Sequence, residues 1–183
     1  MGLTRLNNQA LPTLDSGKLP SGTVLQVKQS VLDASSYHSG TMTHISGLDV
    51  AITPTASNSK FLIRGQFSIS AVARYHVVKL YRRINSADTQ IAMGDNGSNT
   101  SRPEVWLTCG TGESTNTTYE QQPVFGEFLD SPNTTSAITY KVEIGSYTTH
   151  AFGINTAHYG SGSYNAIWNQ APTCTLTVME IAG

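Results

Sequence analysis

From Lys60 to Ala71 the chain reads Lys-Phe-Leu-Ile-Arg-Gly-Gln-Phe-Ser-Ile-Ser-Ala, and one parity consists of residues that belong in a core. Phe61, Ile63, Gly65, Phe67, Ile69 and Ala71 share it. Lys60, Arg64, Gln66, Ser68 and Ser70 share the other, with Leu62 the one apolar exception. Side chains alternate faces along a β-strand, so this pattern predicts a strand with one dry side and one wet side. Alternation of this kind marks antiparallel sheets, because strands of buried parallel sheets read as unbroken apolar runs.

The same texture recurs. Thr23 to Val31 puts Leu25, Val27, Gln29 and Val31 on one face, and Gly47 to Thr53 turns Leu48, Val50 and Ile52 inward before Pro54 ends the run. Strands are further predicted over Val77 to Ile84, Gln90 to Met93, Glu104 to Cys109, Pro123 to Leu129 and Ala137 to Tyr147, then over Ala151 to Ile154, Tyr164 to Trp168 and Thr173 to Ile181. Clusters of Gly, Asn, Asp, Ser and Pro lie between them, and those residues reverse a chain for stated conformational reasons. Short strands divided by turn signals, with no helical period after position 21, predict an all-β fold. The expected form is an antiparallel, jelly-roll-like β-sandwich. Phe61, Ile63, Phe67, Ile69, Leu80, Val142, Ile144, Leu176 and Val178 are its expected core. A chain of 183 residues fits one such domain, placed here at 22–183.

Residues 1–21 differ. Leu3, Leu6, Leu11 and Leu14 follow no strand alternation, Pro12 stops any helix, and Gly17 and Pro20 close the segment. It cannot bury its leucines on itself, so it is expected to be an extended arm that orders on a partner, with Arg5 anchoring to a carboxylate or carbonyl.

Composition narrows the function. Charged residues make up 13% of the chain, where an ordinary globular chain has about 25%. The net charge is −1 and the only basic pair is Arg82-Arg83, so no nucleic-acid partner is expected. No apolar stretch approaches the roughly 18 residues of a membrane helix. The first residues lack the apolar run of a secretory signal, and Leu6 stands where myristoylation wants Ser or Thr. Cys109 and Cys174 sit in strand-like runs and read as buried thiols of a protein made in a reducing cytoplasm.

No catalytic constellation interrupts the strands. His38, His44, His76, His150 and His158 include no pair at i,i+2 or i,i+4, against a zinc site. Asp95 lies in a Gly94-Asp95-Asn96-Gly97 turn without the spacing or terminal Glu of a calcium loop. Gly160 to Ser163 lacks the flanks of a nucleophile elbow or P-loop. Glu104, Glu127 and Glu143 could pair for glycoside hydrolysis only by distant approach. The expectation is no enzyme, no metal and no cofactor. Tyr147, Phe152, Tyr159, Tyr164 and Trp168 cluster near the C-terminus. Of these, Tyr147, Tyr159, Tyr164 and Trp168 are the candidates for a recognition surface, since such rings stack on sugars. Cores and subunit interfaces use the same residues.

Three segments carry a resemblance: Lys18-Leu-Pro-Ser-Gly-Thr-Val-Leu-Gln-Val27, Leu48-Asp-Val-Ala-Ile-Thr-Pro-Thr-Ala-Ser-Asn-Ser-Lys-Phe-Leu-Ile63 and Thr175-Leu-Thr-Val-Met-Glu-Ile-Ala-Gly183. Between them Lys79 to Arg83, Ile91 to Asp95 and Thr139 to Glu143 fall in the expected order, and the Leu-Thr-Arg-Leu-Asn-Asn-Gln opening matches too. The chain resembles small virion structural proteins of tailed bacteriophages, cyanophage-type, described as tail-fibre-like. The resemblance implies a β-sandwich that forms a homotrimer on the virion surface, assembled in the host cytoplasm. A fibre needs a coiled coil or a repeated β-stalk to project, and neither is seen here. A capsid decoration or cement protein, with its arm on the major capsid protein or another virion protein, is therefore the first expectation. A tail-fibre or receptor-binding module for host surface glycan is the second.

Overall fold

A computed structural model of the chain describes residues 19–71, 76–95, 97, 104–109, 121–146, 151–156 and 171–183. In chain order its strands are β1 (Val24–Leu32), β2 (Ser36–His38), β3 (Thr43–His44), β4 (Val50–Ile52), β5 (Lys60–Ala71), β6 (His76–Ile84), β7 (Ala87–Ile91), β8 (Leu107–Cys109), β9 (Gln121–Asp130), β10 (Ile138–Ser146), β11 (Phe152–Ile154) and β12 (Cys174–Ile181). Among the described residues the helical content is a single 3-10 turn, Ser46–Leu48. Every pairing is antiparallel. The fold is all-β, an antiparallel sandwich of jelly-roll type.

The first sheet runs β1-β12-β5-β11-β2, with β9 on the other side of β5. The second runs β3-β10-β6-β7, with β4 paired to β10 and β8 to β6. The dry parity of β5 closes against the second sheet: the Phe61 ring lies 6.0 Å from Tyr140 and the Phe67 ring 6.0 Å from Trp106. The nine expected core residues are all at most 1% exposed. Gly65 pairs with Gly126 across β5 and β9. A Cβ on Gly65 would stand 2.6 Å from the Phe67 ring and one on Gly126 2.5 Å from Leu107, so both positions require glycine for Trp106 and Leu107 to pack beneath them.

Three buried polar side chains, Asp130, Glu180 and Asn155, are each satisfied by several partners. Asp130 of β9 accepts from Arg82 of β6 at 2.7 Å and from the Tyr140 hydroxyl of β10 at 2.8 Å, which ties the two sheets together. Burial and the Asp130 charge push the Tyr140 hydroxyl far above its ordinary pKa. Glu180, fully buried, accepts from Gln26 at 2.6 Å and from the Thr55 amide and hydroxyl at 2.6 and 2.7 Å. Burial alone pushes that carboxyl up, but these donors outweigh it and hold it below the usual range. Asn155, buried and left-handed at φ 55°, gives its amide to the Leu32 and Ala34 carbonyls and accepts from the Cys174 thiol. It fills the gap along β5 where β12 stops and β11 begins. Both cysteines are free and buried, and burial raises both thiols, Cys109 to about 11.

Several local expectations are corrected. The Val27, Gln29 and Val31 side of the first strand points away from the core: Val27 and Val31 are 53% and 54% exposed, and a bulge between Val24 and Gln26 brings Val24 to the same side and takes Leu25 off it. The strand expected from Gln90 starts at Ala87. Asn85 and Ser86 both take positive φ (48° and 66°), the two-residue hairpin turn that suits the twist of the flanking strands. The polar strands β2 and β3 were not anticipated. Tyr164 to Trp168 lies outside the described residues.

Candidate functional site

Register places the outward side chains of the first sheet in rows across four strands. Val27 pairs with Met179, Met179 with Leu62, and Leu62 with Leu129. One step along, Gln29, Thr177, Arg64 and Glu127 form a polar row; the next holds Val31, Thr175, Gln66 and Phe125. Two rows rich in apolar side chains thus flank a polar one. Phe125 is 61% exposed and Leu129 50%, the same order as Val27 and Val31. Together with Val24 they are five of the seven large hydrophobics exposed among the described residues.

The polar row is internally matched. Arg64 pairs with Glu127 across β5 and β9, and Gln29 donates to the Thr177 hydroxyl at 2.8 Å. A shallow depression of about 590 Å³ lies over this row, lined by Arg64, Gln66, Glu127, Gln29, Thr177 and Phe125. It is broad, open and held by β-strands on every side, so its shape does not depend on a loop. Chemically it offers apolar contact with a central pair of opposite charges.

The residues singled out from the sequence fall elsewhere. Leu3, Arg5, Leu6, Leu11 and Leu14 of the arm lie outside the described residues, as do Tyr147, Tyr159, Tyr164 and Trp168. Phe152 is described and fully buried, stacked on His38 at 4.9 Å and beside His76 at 5.5 Å. Glu127 and Glu143 project from opposite outer faces of the sandwich, so these two cannot flank one glycosidic bond. Among the described residues no three His, Cys, Asp or Glu side chains come together to hold a metal. No helix there is long and apolar enough to cross a membrane.

Sequence reasoning missed the outer face of the first sheet, and one signal could have found it. In β9 both parities are apolar: Val124 and Phe128 on one, Phe125 and Leu129 on the other. A strand without alternation has both faces to cover.

No protein-family model matches the chain, and no curated protein does. Among solved structures it is similar to a chain of the T=1 particles derived from infectious bursal virus, at 9% identity and a TM-score of 0.37, over 100% of this chain and 41% of that one. It is likewise similar to the VP2 subviral particle of infectious bursal disease virus, at 10% identity and a TM-score of 0.35, over 86% of this chain and 38% of that one. The chain spans about two fifths of the length of these structures. Likeness at this level carries no weight beside the strand pairing itself.

Proposed function

We propose that this chain is a virion structural protein of a tailed bacteriophage: a capsid decoration or cement protein that sits on the particle surface as a homotrimer and stabilises the shell. The observation that supports this reading best is the two-sidedness of the sandwich. One outer face is rigid and sets exposed apolar side chains around a single ion pair, suited to permanent contact, while the opposite one carries a network of charges. The sequence resemblance to small virion proteins points the same way. In this reading the leucines of residues 1–21 fasten the domain to the major capsid protein or another virion protein, and no residue performs hydrolysis.

The test is to label intact particles with antibody against the domain, then add full-length protein and a form lacking residues 1–17 to particles that lack it. Head labelling, with binding lost on truncation, is the expected result. Labelling at the tail would move the protein to the receptor-binding reading, with a host glycan as ligand. Equal binding by the truncated form would place the anchor on the sandwich.

A further inference from the structure

We propose that the outer face of the first sheet, neutral because Arg64 and Glu127 pair on it, is where copies of this chain meet. The inference rests on the self-association in the reading above and names its surface. Three observations commit the face to a second copy.

The first is charge. Within the three rows stand one cation and one anion, Arg64 and Glu127, with side chains 56% and 53% exposed. A strongly acidic or basic partner would set one of them against its own sign. An identical face supplies both signs. Because the pair is already closed within each chain, the face is neutral, and an identical face meets it without setting like charges together.

Polarity pattern is the second. The wholly apolar row of Val27, Met179, Leu62 and Leu129, and the Val31 and Phe125 ends of the row beyond the polar one, match apolar side chains of the same face on a second copy. A sugar, whose hydroxyls need partners all round, would leave Val27, Val31 and Leu129 facing polar groups.

Size is the third. Four strands about 4.8 Å apart and some six residues of about 3.3 Å give a patch of roughly 400 Å². About half of its side chains are apolar, and exposed apolar area gathered on one face of a single chain marks an interaction site. A lasting contact needs about 800 Å² per partner, so the patch forms the centre of an interface whose rim comes from the flanking edges of β1 and β9.

The experiment is sedimentation velocity on the full chain up to about 100 μM, with circular dichroism to confirm folding. Wild type should sediment as a trimer. Leu129→Lys should be folded and monomeric; should it fail to fold, Val31→Lys on the far strand tests the same face. Arg64→Glu or Glu127→Arg alone should weaken assembly about tenfold or more, and the two together should restore it. Each of three results overturns the inference: a monomeric wild type, full assembly of both charge reversals, or assembly lost in Lys79→Glu on the opposite face but kept in Leu129→Lys. A monomeric wild type that assembles once residues 1–17 are removed would show that the segment covers the face instead. Particle labelling is a separate readout: a trimer built on this face that never labels a particle sinks the virion reading and leaves this one standing.

Discussion

On the second sheet the side chains that point away from the core include Lys79, Tyr81, Arg83, Asp88, Lys141 and Glu143. The same positions of the pleat on the first sheet hold Val27, Val31, Leu62, Phe125, Leu129 and Met179 beside Gln29, Arg64, Gln66, Glu127, Thr175 and Thr177. The charged face answers itself. Asp88 takes two hydrogen bonds from Arg83, at 2.7 and 2.8 Å, and one from Lys141 at 2.9 Å. Those two cations hold its carboxyl well below the usual range. Burial, with Glu143 beside it, pushes the Tyr81 hydroxyl up to about 12. The apolar face has one ion pair and leaves its large side chains in water, although burying each would be worth about 1.5–3 kcal/mol. A sandwich needs only its inner faces to fold. What the outer faces hold is therefore free to record what each meets, solvent on one side and another surface on the other.

That contrast presumes one sandwich, and the largest effect tests it. Phe67 is 1% exposed and its ring meets Trp106 edge-on. Phe67→Ala should cost about 3–5 kcal/mol, with a single unfolding transition by heat or denaturant. Two separate transitions would mean that the sheets are independent units and that their outer faces cannot be compared as sides of one body.

The tie between the sheets comes next. Asp130→Asn leaves Arg82 without its carboxylate in a setting where the Arg82 side chain is 20% exposed. Loss of one member of a wholly enclosed pair costs about 3–5 kcal/mol; with this residual solvent the expected loss is about 2–3 kcal/mol, measured by urea unfolding. A loss below about 0.5 kcal/mol, the level of an ordinary surface change, would show that the charges do not join the sheets.

How much of this was legible depended on how each strand divides its burial. Lys60 to Ala71 and Ile138 to Ser146 alternate cleanly, and of their inward residues Phe61, Ile63, Phe67, Ile69, Val142 and Ile144 were named from the sequence alone, while Ile138 and Tyr140 were not. β1 alternates as cleanly, yet the parity it turns to the core side is Gln26, Lys28, Ser30 and Leu32, because an apolar outer face reversed the usual sense. Period fixes which residues share a face; it does not say which face is inside when both are covered. Glu180 and Asn155 were unreadable for another reason. A buried carboxylate or amide is tolerated only where distant residues supply donors and acceptors, here Thr55 and Gln26 for one and Leu32, Ala34 and Cys174 for the other. Such partners are set by topology. The hairpin at Asn85-Ser86 was missed because the strongest signal for that turn is Asn-Gly, and Ser at the second position gives a weaker one.

Glu180 gives the pH dependence. Its folded pKa lies below its unfolded value near 4.3, so the stabilisation is fully present above that value and is lost as pH falls through the folded one. The melting temperature should decline on acidification below about pH 4.5. Glu180→Gln should shrink the share of that decline due to this residue and cost about 1–3 kcal/mol at neutral pH, since an amide turns a donor toward Thr55 or Gln26. An unchanged acid limb in the variant would show that Glu180 is not the group that titrates.

The smallest effects discriminate best between the two outer faces. Asp88→Asn takes the carboxylate from exposed Arg83 and from Lys141, whose side chain is 6% exposed, and its cost should be the same at every protein concentration and shrink in part with added salt. Phe125→Ser should cost less than about 0.5 kcal/mol at high dilution, because a side chain 61% exposed in the single chain has little to lose there. As concentration rises, wild type should gain melting temperature and Phe125→Ser should not, because only wild type gains the ligand-like stabilisation of a second copy on that face. The gap for Phe125 should therefore widen with concentration and persist in salt, while the gap for Asp88 should ignore concentration and fade in salt. Two gaps that behave alike in both respects would mean that the faces differ in composition but not in what they touch.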